Sequence, residues 1–287
     1  SKHISSLQEY LGVIIDDRLS FKQHAEYVSK KAAGCYAALA RMFPNVGGPK
    51  SSKRKLLANV VSSVMMYAAP IWADSLKTKS TKKEYERVHR LSALRVISAY
   101  RTVSDEAAYV LAGMIPADIQ ADEAYRRYTL KKNGGAITEK TTRAISMQKW
   151  QRRWNESSEG RWTYSLIPDV EKWTGRVHGE VCFYLTQFLS GHGVFRSYLF
   201  RFGHDSSPFC PSWPDEAEDS NHVLFWCPRF AVEREAVNAD YGNQLTPANM
   251  VQAMVSSEAM WSAVCVLTAR IHERLIAADR ERRSTAR

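Results

Sequence analysis

No run of about 18 consecutive apolar residues occurs in the 287-residue sequence, so no helical membrane span is expected. There is no phosphate loop of GxxxxGK[ST] form and no GxSxG nucleophile elbow. Those gaps argue against a P-loop nucleotide hydrolase and an α/β-hydrolase. Ser1 to Tyr10 lacks the charged-then-apolar layout of a secretory leader. Only five cysteines occur, an odd and scattered set without a CxxC pair, which is unlike a secreted disulfide framework. A reducing compartment with thiols free or on metal is expected. The chain does not open with Met, and it is read as a piece of something longer.

Hydrophobic residues make up 45% of the chain and charged residues 24%, enough apolar content for a core and too little charge for wholesale disorder. Forty Lys and Arg stand against 30 Asp and Glu, a formal net charge of +10. That excess favours a polyanionic partner, nucleic acid before an acidic membrane surface; the blander alternative is a solvated basic face.

Tyr10-Leu11-Gly12-Val13-Ile14-Ile15-Asp16 reads as a buried strand or hairpin ending at Asp16-Asp17. Phe21, Ala25, Val28, Ala32, Cys35, Leu39 and Met42 then recur at steps of four and three, the face of an amphipathic helix. Pro44 and Gly47-Gly48 end it, and Pro49 suits the first turn of the next helix. The face of that helix is predicted as Leu56, Leu57, Val60, Val61, Val64, Met65 and Ala69, before Pro70. Lys77 to Lys83 reads as a basic loop, followed by a helix carrying Val88, Leu91, Leu94 and Ile97. Thr102-Val103-Ser104-Asp105 has the form of a capping box that starts a short helix. Pro116 starts another helix, and Asn133-Gly134-Gly135 stops it and marks the expected domain boundary. Beyond a Trp- and Arg-rich stretch, Glu180 to Leu189 is predicted helical. Gly203 to Pro228 reads as loop-rich, and two terminal helices are expected, the last eight residues fraying.

Four constellations bear chemistry. Cys210, His222 and Cys227, spaced Cys-x11-His-x4-Cys, are suitable zinc ligands, although a fourth is wanting: Trp213 stands where a second Cys of a pair belongs. His204, Asp215 and Glu216 are the nearest spare donors. The alternative is three unconnected residues, two of them core cysteines. Asp16-Asp17 mimics a polymerase's metal-binding step, but Glu9 is the sole upstream acid, and an aspartate-capped turn is the better reading. Basic clusters (Lys50, Lys53, Arg54, Lys55; Lys77, Lys79, Lys82, Lys83; Arg126, Arg127, Lys131, Lys132) suit phosphates, with Arg152 and Arg153 beside tryptophans that stack on bases or fill a core. Trp150 and Trp154, at i and i+4, favour the core. Gly191-His192-Gly193 is better read as a helix C-cap and turn than as an acid–base site.

At Tyr10-Leu11-Gly12-Val13, followed by Asp16, Leu19-Ser20-Phe21 and His24, the sequence resembles the segment just after the palm of LINE-type (non-LTR) retrotransposon reverse transcriptases. Leu39-Ala40-Arg41-Met42, Met66-Tyr67-Ala68-Ala69-Pro70-Ile71-Trp72 and Ile97-Ser98-Ala99-Tyr100-Arg101 resemble that family's thumb. Trp150-Gln151-Arg152-Arg153-Trp154, Gly160-Arg161-Trp162, Gly191-His192-Gly193 and the stretch from Cys210 to Cys227-Pro228-Arg229-Phe230 are similar to the tail of jockey-like arthropod elements. These phrases, in order, cover nearly the whole chain.

The resemblance implies a mainly α fold. It divides into the end of the palm with a short primer-grip strand or hairpin (1–20), a helical thumb (21–133), a Trp/Arg-rich linker (134–200), and a knuckle-like segment with C-terminal helices (201–287). It implies that Tyr10, Leu11 and Gly12 hold the primer end. Lys50, Lys53, Arg54, Lys55, Lys82, Lys83, Arg152 and Arg153 are expected on nucleic acid, and zinc at Cys210, His222 and Cys227. The family's catalytic aspartates, with their Mg²⁺, and its endonuclease are expected upstream of Ser1, so this segment alone is expected not to polymerise DNA. Implied partners are element RNA, target DNA and the upstream palm, fingers and endonuclease, with no membrane, in nucleus and cytoplasm. The alternatives are a stand-alone basic nucleic-acid-binding module or an inert fragment of a decayed element.

Overall fold

The computed structural model describes residues 7–134 and 138–285. Gly135, part of the expected boundary, and Arg287, in the expected frayed tail, lie outside them. About 67% of the chain is helical, with two small two-stranded antiparallel sheets, matching the mainly α expectation. Two compact units form, Ser1–Val96 with Met114–Arg153, and Ile97–Gly113 with Trp154–Arg287.

The first unit begins with a hairpin, β1 (Gln8–Tyr10) and β2 (Val13–Ile15), Tyr10 pairing with Val13. Leu11 (φ 47°) and Gly12 (φ 78°) form its two-residue turn. Positive φ at both central positions matches the twist of the strands, and glycine supplies it without the Cβ penalty. Of the two forms expected, a buried strand or a hairpin, the hairpin is the one that forms; β1 is exposed, and in β2 Val13 is buried. The Asp16 carboxylate then accepts from the backbone N–H groups of Arg18, Ser20 and Phe21 at 3.1, 3.0 and 2.8 Å. It caps the turn into α1 (Lys22–Arg41), as the non-catalytic reading of Asp16-Asp17 required. His24 Nδ1 accepts the Ile14 N–H at 3.2 Å and fastens β2 to α1.

α2 (Ser51–Met65) starts one residue beyond Lys50, with Pro49 ahead of the cap rather than in the first turn. Its buried face is Arg54, Ala58, Val61, Ser62 and Met65; Leu56 and Val60, expected on it, are exposed. α3 (Ala69–Trp72) and a 3-10 turn (Ala73–Lys77) lead to α4 (Lys79–Val96), so Lys79, Lys82 and Lys83 ride a helix and not a loop. The core joins α1, α2 and α4, with Trp72 stacked on Tyr85 at 4.6 Å between centroids. Helix α5 (Asp105–Ala112) belongs to the second unit; its N-cap is Ser104, which accepts from Ala107 N–H, two residues past the expected Thr102. Helices α6 (Ala117–Lys132) and most of α7 (Glu139–Glu156) complete the first unit, and Trp150 is buried there.

In the second unit Trp154 is fully buried and donates its indole N–H to Ile167 at 2.8 Å; the tryptophan stripe is core. Short helices α8 (Arg161–Leu166) and α9 (Val170–Thr174) precede α10 (Phe183–Ser190), which begins later than predicted and is capped by left-handed Gly191. After α11 (Arg196–Arg201), the expected loop contains a ribbon of β3 (Phe209–Cys210) and β4 (Trp213–Ala217) and a π-helical turn (His222–Trp226). Three helices, not two, finish the chain: α12 (Ala231–Tyr241), α13 (Met250–Ser256) and α14 (Glu258–Thr285). α14 remains helical to Thr285 where fraying was expected. Trp261, Val264, Thr268, Ile271 and Leu275, at steps of three and four, are buried along it.

Candidate metal centre

Three of the predicted residues converge. Cys210 ends β3 and faces Trp213 across a turn of Pro211 and Ser212. A two-residue turn keeps the ribbon tight enough to aim the Cys210 thiol inward. His222 opens the π-helical turn, its backbone N–H held by the Asp219 carboxylate at 2.8 Å. The Cys227 N–H donates to His222 O at 2.7 Å, closing a five-residue loop that brings the imidazole and the second thiol to one side. Pro228 then leaves that geometry.

The thiol sulfurs and an imidazole nitrogen lie within 4.8 Å of one another, and all three residues are buried. Cys210 Sγ and Cys227 Sγ are 3.6 Å apart. Two thiolates on a tetrahedral zinc, each at about 2.3 Å, would stand roughly 3.8 Å apart. His222 Nε2 is buried with no hydrogen-bond partner, which is the condition of an imidazole lone pair or N–H directed at something other than protein. Burial holds the His222 pKa below its ordinary value, favouring the neutral ring that ligates metal. Burial pushes the Cys227 thiol up, opposed by Arg229, whose Nε donates to Cys227 Sγ at 3.3 Å. Arg229 is itself paired with the fully buried Glu218. Two thiolates and an imidazole suit zinc, and this group could hold a metal ion.

Among the described residues, no fourth Cys, His, Asp or Glu joins the group. His204, Asp215 and Glu216 are exposed and outside it. Trp213 sets its ring edge-to-face against His222, centroids 5.9 Å apart, while staying 46% exposed.

The basic residues separate into two groups. Arg54 must be withdrawn from the phosphate-facing set: it is buried, and its guanidinium donates to the carbonyls of Pro44, Asn45, Pro49 and Arg95. Lys82 and Arg153 share Asp118 at 2.7 and 2.9 Å and Glu86 at 3.4 and 3.5 Å, so their charge is largely met within the protein. Lys50, Lys53, Lys83 and Arg152 are exposed, and Lys55 is half-buried. Tyr10 and Leu11 are exposed at the hairpin tip, where Tyr67 donates its hydroxyl to Leu11 O at 3.0 Å.

Sequence reasoning missed Glu218 and Arg229 as supports of the cluster. Glu218 sits in an acidic run that reads as solvated, and only its burial sets it apart. Arg229 was visible in the phrase after Cys227, without a partner to give it a role. His192 lies 3.0 Å from the Thr102 hydroxyl, which also meets Tyr198 at 2.6 Å; this polar clasp beside the Gly191 cap was not legible from spacing.

No family model matches this chain, and no solved structure matches it. Curated relatives do. A putative 115 kDa protein in type-1 retrotransposable element R1DM of Drosophila melanogaster is 27% identical over 245 residues, covering 79% of this chain and 24% of that protein. A retrovirus-related Pol polyprotein from type-1 retrotransposable element R1 of Nasonia vitripennis is 28% identical over 223 residues, 70% of this chain and 65% of the relative. A second Nasonia vitripennis protein of that kind, from element R1 4, is 25% identical over 277 residues, 89% and 69% of the two chains. The chain thus spans about a quarter of the Drosophila relative and about two thirds of the first Nasonia one. Over most of its length it is homologous to Pol polyproteins of R1 non-LTR retrotransposons, as a segment of a LINE-type reverse transcriptase would be.

Proposed function

We propose that this chain serves as the C-terminal, non-catalytic segment of a non-LTR retrotransposon reverse transcriptase. It grips primer and template and binds element RNA and target DNA beside an upstream palm, fingers and endonuclease. Nucleotidyl transfer needs carboxylates that hold Mg²⁺. Of the paired aspartates, Asp16 caps backbone N–H groups, which supports assigning the metal chemistry to the parent's palm. In this reading the hairpin tip, Tyr10, Leu11 and Gly12, positions the primer end. Residues 21–133 act as thumb, 134–200 as linker and 201–287 as a zinc-holding knuckle region. Lys50, Lys53, Lys83 and Arg152 lie against phosphates, and the protein works in nucleus and cytoplasm.

The observation that carries this reading is the homology to R1 Pol polyproteins over most of the chain, joined to a +10 net charge. The test joins the segment to an upstream palm and compares primer extension with Gly12→Val and with Lys50, Lys53 and Lys83 changed to Ala. Loss of extension is expected for both; unchanged extension overturns the assigned roles.

A second reading, a nucleic-acid-binding module acting alone, is favoured by the charge excess. It requires binding by the isolated chain that weakens steeply with salt, because phosphate contacts release counterions. Affinity indifferent to salt rules it out.

A further inference from the structure

Cys210, His222 and Cys227 supply three donors within 4.8 Å of one another, and no fourth protein donor joins them among the described residues. The ribbon side of the cluster, Pro211, Ser212 and Trp213, is exposed. Trp213 contributes a ring edge to His222 and no lone pair for a metal. Structural zinc sites are closed by four protein ligands; sites with three keep one position for an outside molecule. We propose that this centre binds zinc through Cys210, His222 and Cys227 with an exchangeable fourth position, open on the ribbon side, that accepts an external monodentate nitrogen donor in place of water.

The proposal rests on the metal reading above and extends it. The knuckle is then not a closed structural staple. Its metal can take a ligand from solution or from a bound partner, and Trp213 forms one wall of the approach. Outer contacts steady the cluster from the protein side. Arg229 Nε–H meets Cys227 Sγ at 3.3 Å and is anchored on buried Glu218, so a thiolate lacking a full ligand set is steadied from the protein side.

The test loads the full chain with Co²⁺, a spectroscopic stand-in for zinc, and titrates it with imidazole. The wild-type protein is expected to show thiolate-to-cobalt charge-transfer absorption and a shift in the visible cobalt bands that saturates with imidazole. Trp213→Cys, at a half-exposed position where folding is readily checked by circular dichroism, is expected to bind Co²⁺ more tightly and to show no imidazole shift. Trp213→Phe should retain the wild-type shift. If Co²⁺ binds with thiolate bands but imidazole changes nothing in the wild type, the open position is disproved while the metal reading stands. If neither Co²⁺ nor Zn²⁺ binds, the metal reading fails and the proposal with it.

Discussion

Arg229 donates its Nε–H to the sulfur of Cys227 at 3.3 Å while the far side of its guanidinium pairs with Glu218, a carboxylate sealed from solvent. Further contacts fix Glu218: Arg196 N–H approaches its side chain at 3.4 Å, the Ser197 N–H and hydroxyl donate to its backbone carbonyl at 3.2 and 3.0 Å, and its own N–H donates to Pro208 O at 2.8 Å. The chain Glu218–Arg229–Cys227 therefore orients the thiol from behind. Outer partners of this kind typically set about 10–100-fold of metal affinity. Arg229→Ala is expected to weaken zinc binding within that range, measured by competition with a chromophoric chelator. Arg229→Lys should recover only part, because an ammonium cannot meet the sulfur and the carboxylate in one planar fork.

Arg54 and Lys53 are neighbours in sequence with opposite duties. Arg54 satisfies four carbonyls in the 44–49 turn and at the end of α4, and burial with the nearby Arg95 charge depresses its pKa. Removing it strands buried acceptors, so Arg54→Ala should cost about 3 kcal/mol in urea unfolding. Lys53→Ala should change stability by less than about 0.5 kcal/mol. If the phosphate role holds, it should also flatten the salt dependence of nucleic-acid binding by about one unit of slope. A Lys53→Ala protein with an unaltered slope removes Lys53 from the interface.

Asp16 carries a similar lesson for the hairpin. Burial alone would raise its pKa, but the N–H groups of Ser20, Phe21 and Arg18 and the Ser20 hydroxyl outweigh it and hold the carboxyl below its ordinary value. A carboxyl depressed in the folded state contributes stability that is complete above its unfolded pKa and is lost as pH falls through the folded one. Asp16→Ala should therefore destabilise the protein by about 1–2 kcal/mol at neutral pH, as loss of a capping side chain does. The difference from wild type should shrink below about pH 4, where the unfolded-state carboxyl takes up its proton. Urea unfolding at a series of pH values reads both; a difference constant down to pH 2 rejects the carboxylate as cap.

Local rules made much of the architecture readable. The four-and-three spacing of Phe21, Ala25, Val28 and Ala32 marks the buried face of α1, and Gly191 closes α10 in the left-handed conformation expected of a C-cap. Cys210, His222 and Cys227 read as suitable zinc ligands by residue type and spacing, and folding brings them together as a group that could hold a metal ion. What sequence spacing could not give was which apolar or charged residue the tertiary packing would claim. Leu56 and Val60 look like core and are exposed, whereas Arg54, between two lysines, is buried because the turn before α2 needs its donors. The Lys77 to Lys83 run reads as loop because of its charge. Yet Tyr85 and Val88 pack into the core and draw the helix back to Lys79. The acidic stretch 215–219 hides one buried carboxylate among solvated ones, set apart by its burial and its pairing with Arg229.

Two buried histidines, His89 and His272, and the half-buried His192 should make the protein acid-sensitive. Burial lowers the pKa values of His89, His192 and His272 to about 4. His89 donates from Nε2 to Ile115 O at 2.8 Å, and His272 has neither ring nitrogen partnered, its ring lying 5.6 Å from Phe183 and 5.1 Å from Tyr184. Each stays neutral in the folded chain where the unfolded chain would bind a proton. The stability tied to neutrality is whole above the ordinary histidine value near 6.5 and falls as pH drops towards about 4. Unfolding free energy should therefore decline between those two pH values. His272→Phe, which keeps a ring between the same aromatic neighbours, should lessen that decline by one proton's uptake without lowering stability at pH 7. Urea denaturation followed from pH 7.5 to 4 measures the slope, and a His272→Phe slope equal to wild type shows that His272 takes up its proton alike in both states.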